Sequence, residues 1–395
     1  MIRAIQLKML WGEWLAALAI GLSLVRVATE YPPGHYQMFM EASRALWSGG
    51  QAYDVPFLGN LFFFSPACAL LFYGPFTLLP EIPGVFLYTA LSAGLFIWGA
   101  VRFGSHFLDR KNMQWFWLLV ASQLYSSLAA HKPEVSNMGI TLLAAAWLIE
   151  GRRLGGAAFF LAMVGNFKLQ PLPAVALLAL VVCVLMPKLR KWCFGLTASL
   201  GFWFAIPWAL RPWVYLEEQH RLWLGSLRQY SAENFDFYDN VYAFLGNNFE
   251  IKMSFETSQL ISLSFAAACA LVLYIWMKRQ GQKNDAWESG IFFALILGAS
   301  YTTLVSPLQQ VSAYVLLAPL FLALAWIRGT YPKKWTPIVW VLFLFWSIAY
   351  SGLMPESIRG TIRHAVVRVP ATVVALIAVI GIWFRAFPRT RARYP

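Results

Sequence analysis

The stretch LFFFSPACALLFYGPFTLL, residues 61–79, decides how many times this chain crosses a bilayer. It is apolar and about long enough to cover a hydrocarbon core. It also carries Pro66 and Pro75, each of which removes a backbone donor and clashes with the preceding helical turn. Charge placement settles the reading. If 61–79 stays on one side, most of the 31 Lys and Arg, among them Arg102, Arg110, Lys111, Arg152, Arg153, Lys188 and Arg190, fall in short loops on a single face, as the positive-inside rule requires. If it crosses, every later loop changes side and the asymmetry is lost. The stretch is therefore read as a re-entrant or interfacial pair of half-helices broken at Pro66 and Pro75. Irregular backbone at that depth is tolerated only where protein or a water-filled cavity covers it. This predicts a cavity beneath the first outer loop.

The rest of the chain fits a polytopic bundle. Of its 395 residues 59% are hydrophobic and 12% charged, with mean hydropathy +0.58. Soluble domains carry about a quarter charged residues, and disordered chains are far less apolar. Candidate spans are 10–28, 84–103, 114–130, 135–150, 155–168, 171–186, 192–210, 258–277, 286–305, 309–327, 335–352 and 366–385. The fold class expected is all-α: one integral-membrane domain, 1–395, of about 12 transmembrane helices, with both termini cytoplasmic. Its outer loops are 29–83, 211–257 and 353–365. No cleavable signal peptide is expected. The net charge of +13 is read as a topology signal rather than a nucleic-acid surface. Cys68, Cys183, Cys193 and Cys269 lack metal or disulfide spacing and read as small buried residues.

The first outer loop opens with YPPGHYQMFMEAS, residues 31–43. Over 35–47 the spacing is helical: Tyr36, Phe39, Met40 and Leu46 share an apolar side, and Glu41 and Arg44 stand at i, i+3 as an expected ion pair. This predicts a helix lying in the interface, stopped at Ser48-Gly49-Gly50 by a glycine C-cap. In the second loop Glu233, Asp236 and Asp239 offer carboxylates for a divalent cation, but their spacing is irregular and no metal is expected.

Several short motifs follow in order: Ala45-Leu46, Gly49 or Gly50, Tyr53-Asp54, Phe64-Ser65-Pro66, Leu70-Leu71, Pro75 and Leu79-Pro80. Val135-Ser136-Asn137 with Leu142-Leu143, Lys168 with Pro171, Asn240-Val241-Tyr242, and Ser306-Pro307 with Tyr314 come after them. This order resembles glycosyltransferase family 87, membrane enzymes of the C-type glycosyltransferase fold that use polyprenyl-phosphate sugars. The resemblance covers roughly residues 10–330. Two positions depart from it. The family's aspartate before the interfacial helix falls on His35, and its Trp and His after Ser-Pro are replaced by Gln309, Gln310 and Ser312.

The resemblance implies transfer of a sugar, mannose or a related hexose or pentose, from a polyprenyl-phosphate donor to a glycolipid or cell-envelope glycan outside the cytoplasm. It implies inversion and no cofactor beyond the donor. Such transfer needs a base, groups that stabilise the departing phosphate, and an apolar groove for the lipid. Glu30, where the first span leaves the membrane, and His35 are the candidate bases; an acid capping the span and a backbone-bonded histidine are the plain alternatives. Asp54 is read as substrate-binding or as a turn cap. Lys168, at the outer membrane level where an unpaired charge is costly, and Arg211 are candidate phosphate contacts, against snorkelling and interfacial anchoring. His131, Lys132 and Glu134 form either a substrate cluster or a solvated turn. Arg359, Arg363, His364 and Arg368 attract a lipid phosphate or form a solvated basic loop. Gln309, Gln310 and Asn240 complete the candidate binding set. A degenerate relative that binds a lipid carrier or serves as an assembly partner is the competing reading. A secondary transporter is a third; no inverted repeat supports it.

Overall fold

The computed structural model describes residues 10–29, 34–53, 62, 64–169, 171–234, 240–280, 286–306, 311–347, 357, 361 and 365–387. Among them the regular structure is helical throughout. The helices are α1 (Trp11–Thr29), α2 (Gly34–Ser48), α3 (Glu81–Gly104), α4 (Arg110–Ala129), α5 (Glu134–Glu150), α6 (Leu154–Phe167), α7 (Leu172–Leu185) and α8 (Arg190–Leu210). Then follow α9 (Trp213–Asn234), α10 (Val241–Phe249), α11 (Phe255–Gln280), α12 (Ala286–Val305), α13 (Ala318–Thr330), α14 (Pro332–Trp346) and α15 (Arg368–Trp383). Each expected span overlaps one of these helices, although only the second half of 309–327 is α-helical, Val311–Leu317 being a 3₁₀ stretch. Five helical stretches of the described residues, Trp11–Thr29, Glu81–Gly104, Pro187–Leu210, Phe255–Gln280 and Ala286–Val305, are long and apolar enough to cross a membrane alone. Leu154–Phe167, Leu172–Leu185, Tyr314–Thr330 and Arg368–Trp383 are apolar but shorter.

Burial sorts the helices into a centre and a rim. In α5 every residue from Glu134 to Ile149 is buried, and α12 and the first half of α13 are nearly as enclosed. The outer helices turn bare apolar stripes outward: Trp14, Leu18, Leu22 and Val25 on α1, and Leu260, Leu263 and Leu271 on α11. In water such stripes would be a liability; against acyl chains they are the expected surface, since the backbone is satisfied within each helix. Glycines set the closest helix crossings. A Cβ at Gly99 of α3 would lie 2.0 Å from the Gly139 carbonyl oxygen of α5, and one at Gly298 of α12 would lie 2.4 Å from Ala174 of α7.

The reading of 61–79 as non-crossing is supported by two contacts at the opposite end of the bundle. Arg110, the first residue of α4 and a short turn beyond α3, grips Glu13 at the start of α1 with two bonds of 2.7 Å. Arg102 near the end of α3 grips Glu150 at the end of α5 at 2.9 and 2.6 Å. The start of α1 and the end of α3 therefore lie at one level, so the connection between α1 and α3 leaves and re-enters at the same end. Within it, the helical run from Pro66 to Leu78 covers only about 20–25 Å at 1.5–2.0 Å per residue, short of the roughly 30 Å core.

Pro66 starts that run, but Pro75 does not break it. At Gly74 the helix passes from a π-helix (Cys68–Tyr73) to a 3₁₀ turn (Gly74–Leu78) with Pro75 in its first positions, where a missing N–H costs little. The run docks on α2: the Ser43 hydroxyl donates to the Ala69 carbonyl, and a Cβ at Gly74 would lie 2.6 Å from the Trp47 indole nitrogen. α2 ends as expected, with Gly49 at φ +81° and Gly50 N–H donating to the Ala45 carbonyl at 2.8 Å. It is buried on more than one side: Met38 and Ala42 are as enclosed as Phe39 and Leu46. The expected Glu41–Arg44 pair does not form; neither residue makes an ion pair or hydrogen bond with another described residue.

Because a Cβ at Gly139 would meet the backbone of Leu95 at 2.6 Å, Gly139→Ala should force α3 and α5 apart. It is expected to cost about 1–3 kcal/mol, read as a lower melting temperature of the purified protein. Gly21→Ala, with nothing within 4 Å, should leave that temperature unchanged.

Candidate functional site

Under the re-entrant run, the ends of three helices meet. α4 finishes in a Schellman turn, with His131 N–H donating to the Leu128 carbonyl and Lys132 N–H to the Ser127 carbonyl. Glycine usually takes the left-handed position of that motif; here it is His131, at φ +55°. Left-handed backbone costs a residue with a Cβ about 1–2 kcal/mol. It turns the His131 ring toward Tyr36 of α2, 6.3 Å away between ring centroids. Pro133 then opens α5, whose first residue is Glu134. A carboxylate is favoured at that positive helix end. Lys168 occupies the C-terminal end of the neighbouring helix α6, where a cation is favoured for the same reason. The two side chains form an ion pair.

This pair is buried: Lys168 is 6% and Glu134 1% exposed. Lys132 is 7% exposed, so the alternative of a solvated turn is ruled out. Two ammonium groups thus share one carboxylate in a nearly dry setting. Lys168 is the one that Glu134 binds. The Lys132 side chain makes no hydrogen bond or ion pair with another described residue. Loss of hydration, only partly offset by Glu134, pushes its pKa down to about 8. Glu134 Oε2 and Asn137 Oδ1, one turn further into α5, have no hydrogen-bond partner among the described residues. Asn137 also lines a small, largely apolar cavity of about 20 Å³, with Thr141, Ala174, Ala299 and Thr302 among its walls.

The Phe64-Ser65-Pro66 motif is stitched onto the same spot. Ser65 N–H donates to the Phe167 carbonyl at 3.4 Å, and its hydroxyl donates to Asn166 Oδ1 at 3.0 Å. The Lys168 ammonium stands 5.5 Å from the centre of the Phe64 ring, a cation–π contact. Tyr53 Oη donates to the Phe64 carbonyl at 2.8 Å. Around this knot Tyr36, Tyr73, Tyr88 and Phe39 pack ring on ring. The expected cavity is therefore not one open chamber: the charged groups are sealed, with open space to either side.

Other candidates lie elsewhere. Arg211, just past α8, has Nη2 3.2 Å from where a Gly49 Cβ would stand and packs on Tyr215, whose hydroxyl donates to the Gly50 carbonyl at 2.7 Å. That is the far end of α2, about 20 Å from Tyr36 by helical rise. The Arg211 Nε is buried without a partner among the described residues. Asn240 is a helix cap, its Oδ1 accepting from Tyr242 and Ala243 N–H at 3.0 Å. Arg368 is buried rather than solvated and donates to the Trp346 carbonyl at 2.9 and 3.2 Å. Glu30, Asp54, Asp236, Asp239, Gln309, Gln310, Arg359, Arg363 and His364 lie outside the described residues, as does the side chain of His35, whose backbone is in the first turn of α2.

Tyr36, the Phe64-Ser65-Pro66 motif, residues 131–137 and residues 166–168 thus converge on one spot. Residues 62–307 match the family model of glycosyltransferase family 87, well over half of the sequence. The chain belongs to glycosyltransferase family 87. It is a membrane glycosyltransferase, and the cluster beneath the connection between α1 and α3 is its candidate active region. Neither a curated protein nor a solved structure matches it.

Sequence reasoning put Lys168 first among the cations of this family 87 enzyme and set Lys132 among cluster residues. The structure pairs Lys168 with Glu134 and buries Lys132 beside them. The unusual His131 left no trace in composition; the missing glycine after a helix ending in Ala129-Ala130, just before Pro133, was the one available signal. His220, stacked on Trp208 with centroids 4.4 Å apart and bonded to the Leu216 carbonyl at 2.8 Å, went unnoticed and has a packing role.

Glu134→Gln leaves Lys168 buried without its counter-ion. It is expected to destabilise the fold by about 3–5 kcal/mol, and the double variant Glu134→Leu/Lys168→Met should recover part of this in thermal unfolding.

Proposed function

We propose that this enzyme transfers a sugar, mannose or a related hexose or pentose, from a polyprenyl-phosphate donor to a glycolipid or cell-envelope glycan. The reaction takes place on the outer face of a bacterial inner membrane that the chain crosses about 12 times, with its termini in the cytoplasm. One observation supports the reading: a buried site holds two lysines and one glutamate, and Lys132 has no ion-pair partner among the described residues. An excess positive charge out of water is costly, and an anion beside Lys132 offsets that cost. The phosphate released when the sugar–phosphate bond breaks is such an anion. Its charge develops during the reaction, so Lys132 stabilises the transition state more than the ground state.

In this reading Glu134 sets the position of Lys168, and Lys168 turns the Phe64-Ser65-Pro66 corner toward the leaving group. Glu134 also tempers the field, so the site is not so positive that product phosphate fails to leave. The proton from the acceptor hydroxyl goes to Glu30 or His35, where the first outer loop begins. The apolar rim supplies contacts for the polyprenyl chain.

The test is turnover of radiolabelled polyprenyl-phosphate sugars in membranes or nanodiscs. Lys132→Met is expected to lower kcat by about 10²-fold or more; full activity in that variant would remove the lysine from the mechanism. Turnover unchanged in both Glu30→Gln and His35→Ala would exclude both as bases.

pH supplies a second check. Lys132, with a pKa held near 8, is charged below that value and neutral above it. A bound phosphate raises the pKa by favouring the charged form. Donor affinity should therefore be constant below about pH 8 and fall as pH rises through that value toward the ordinary lysine range. Lys132→Met should flatten this profile.

A further inference from the structure

Two of the four cysteines meet. Cys183, near the end of α7, and Cys193, in the first turn of α8, bring their sulfur atoms to 3.3 Å. Both are half-buried, whereas Cys68 and Cys269 are buried. The expectation of small buried residues therefore holds for Cys68 and Cys269 only. The pair exists because the chain reverses between α7 and α8.

That reversal is tightly built. Met186 N–H donates to the Val182 carbonyl at 3.0 Å, and Leu189 N–H to the Met186 carbonyl at 2.8 Å. Pro187–Leu189 form a single 3₁₀ turn. Arg190 Nε donates to the Cys183 carbonyl at 3.1 Å, which clips the start of α8 to the end of α7. Trp192 Nε1 donates to the Leu154 carbonyl at 3.0 Å, which fixes the roll of α8 against α6. Two thiols held in this way are already in place to react with each other, so little further ordering of the chain is needed. A disulfide has its sulfurs about 2.05 Å apart, so the pair has to close by a little more than 1 Å.

The place gives such a bond a consequence. α8 packs chiefly on α6, and α7 chiefly on α12. α7 and α8 touch each other less, so the cysteines stand on the seam between two helix pairs. At the opposite end of that seam lie Lys168, which closes α6, and Pro171, which precedes α7.

We propose that Cys183 and Cys193 are a redox-active dithiol, whose reversible oxidation to a disulfide staples α7 to α8 across this seam. The oxidant is a low-molecular-weight disulfide. One protein thiol loses its proton to water and attacks a sulfur of that disulfide, expelling one small thiolate. The second protein thiol, deprotonated in turn, attacks the protein-bound sulfur of the mixed disulfide and expels the other. The protein gives up two electrons and two protons; the small disulfide takes up the electrons and leaves as two thiols. In the orientation proposed above this end of the bundle faces the cytoplasm, where the thiol pool keeps cysteines reduced. The pair is then a dithiol at rest and closes when that pool is oxidised.

The test equilibrates the full-length protein in nanodiscs with buffers of reduced and oxidised glutathione, quenches with a polar maleimide, and reads intact mass and linked peptides. The wild type is expected to lose two hydrogen atoms, to show a Cys183–Cys193 link, and to regain both thiols under a reductant. Its oxidised fraction should depend on the square of the reduced glutathione concentration, because two small thiols are released for each bond formed. A mixed disulfide depends on the first power. Cys183→Ser and Cys193→Ser should each take up one glutathione instead. The oxidised wild type should melt above the reduced one, and neither serine variant should gain on oxidation. A wild type that stays a dithiol in every buffer, accumulates mixed disulfide, or links another pair overturns the proposal. An oxidised wild type that melts no higher than the reduced one overturns the staple. The wild-type link and its concentration dependence decide the matter even where a serine variant folds poorly.

Discussion

The ion pair between Glu134 and Lys168 is the contact on which this architecture depends. It ties the first residue of α5, the most enclosed helix of the bundle, to the end of α6. Each helix brings a terminus whose dipole suits the charge it bears. The pair also fixes the spot where the first outer loop lands, because Asn166 and Phe167, just before Lys168, receive Ser65. Removing two charges from water costs several kcal/mol per ion. The fold accepts that cost at a place where helix ends, a re-entrant loop and a wall of tyrosines all meet. Buried pairs of this kind contribute little to net stability, which points to positioning rather than strength as their use.

Positioning here serves a charge imbalance. Lys132 follows a helix terminus closed by His131 in the left-handed region, a conformation with a local energetic cost. Backbone strain of that kind persists only where the surroundings over-determine it. The Schellman bonds on one side and Pro133 with the α5 start on the other supply that constraint. They hold an ammonium group close to Glu134 without letting it replace Lys168 as the partner. The result is one neutralised cation and one available cation in the same dry pocket.

The described part of the connection between α1 and α3 is built into the bundle. α2 is buried on several faces, the 66–78 run lies across it, and the start of α9 returns to its C-terminal end through Arg211 and Tyr215. Polar space remains on one side of this assembly, toward Glu41 and Arg44, and largely apolar space on the other, toward Asn137 and Thr141.

The sequence by itself determined the helices and the path of the chain. Apolar length fixes where helices run, and the distribution of Lys and Arg assigned 61–79 to one side; the Glu13–Arg110 and Arg102–Glu150 contacts agree with that path. Glycines after Ser48 likewise announced the end of α2. These features are legible because they depend on local composition and on charge summed over loops. Which lysine is available, which carboxylate is spoken for, and that Glu41 and Arg44 do not pair with each other were decided only by tertiary structure. Lys132, Glu134 and Lys168 lie within 37 positions in the sequence, yet Ser65 and Tyr36 reach them from far outside that window. Burial removes water from the competition for a charge, and burial is a property of how helices pack, which no single stretch of sequence contains.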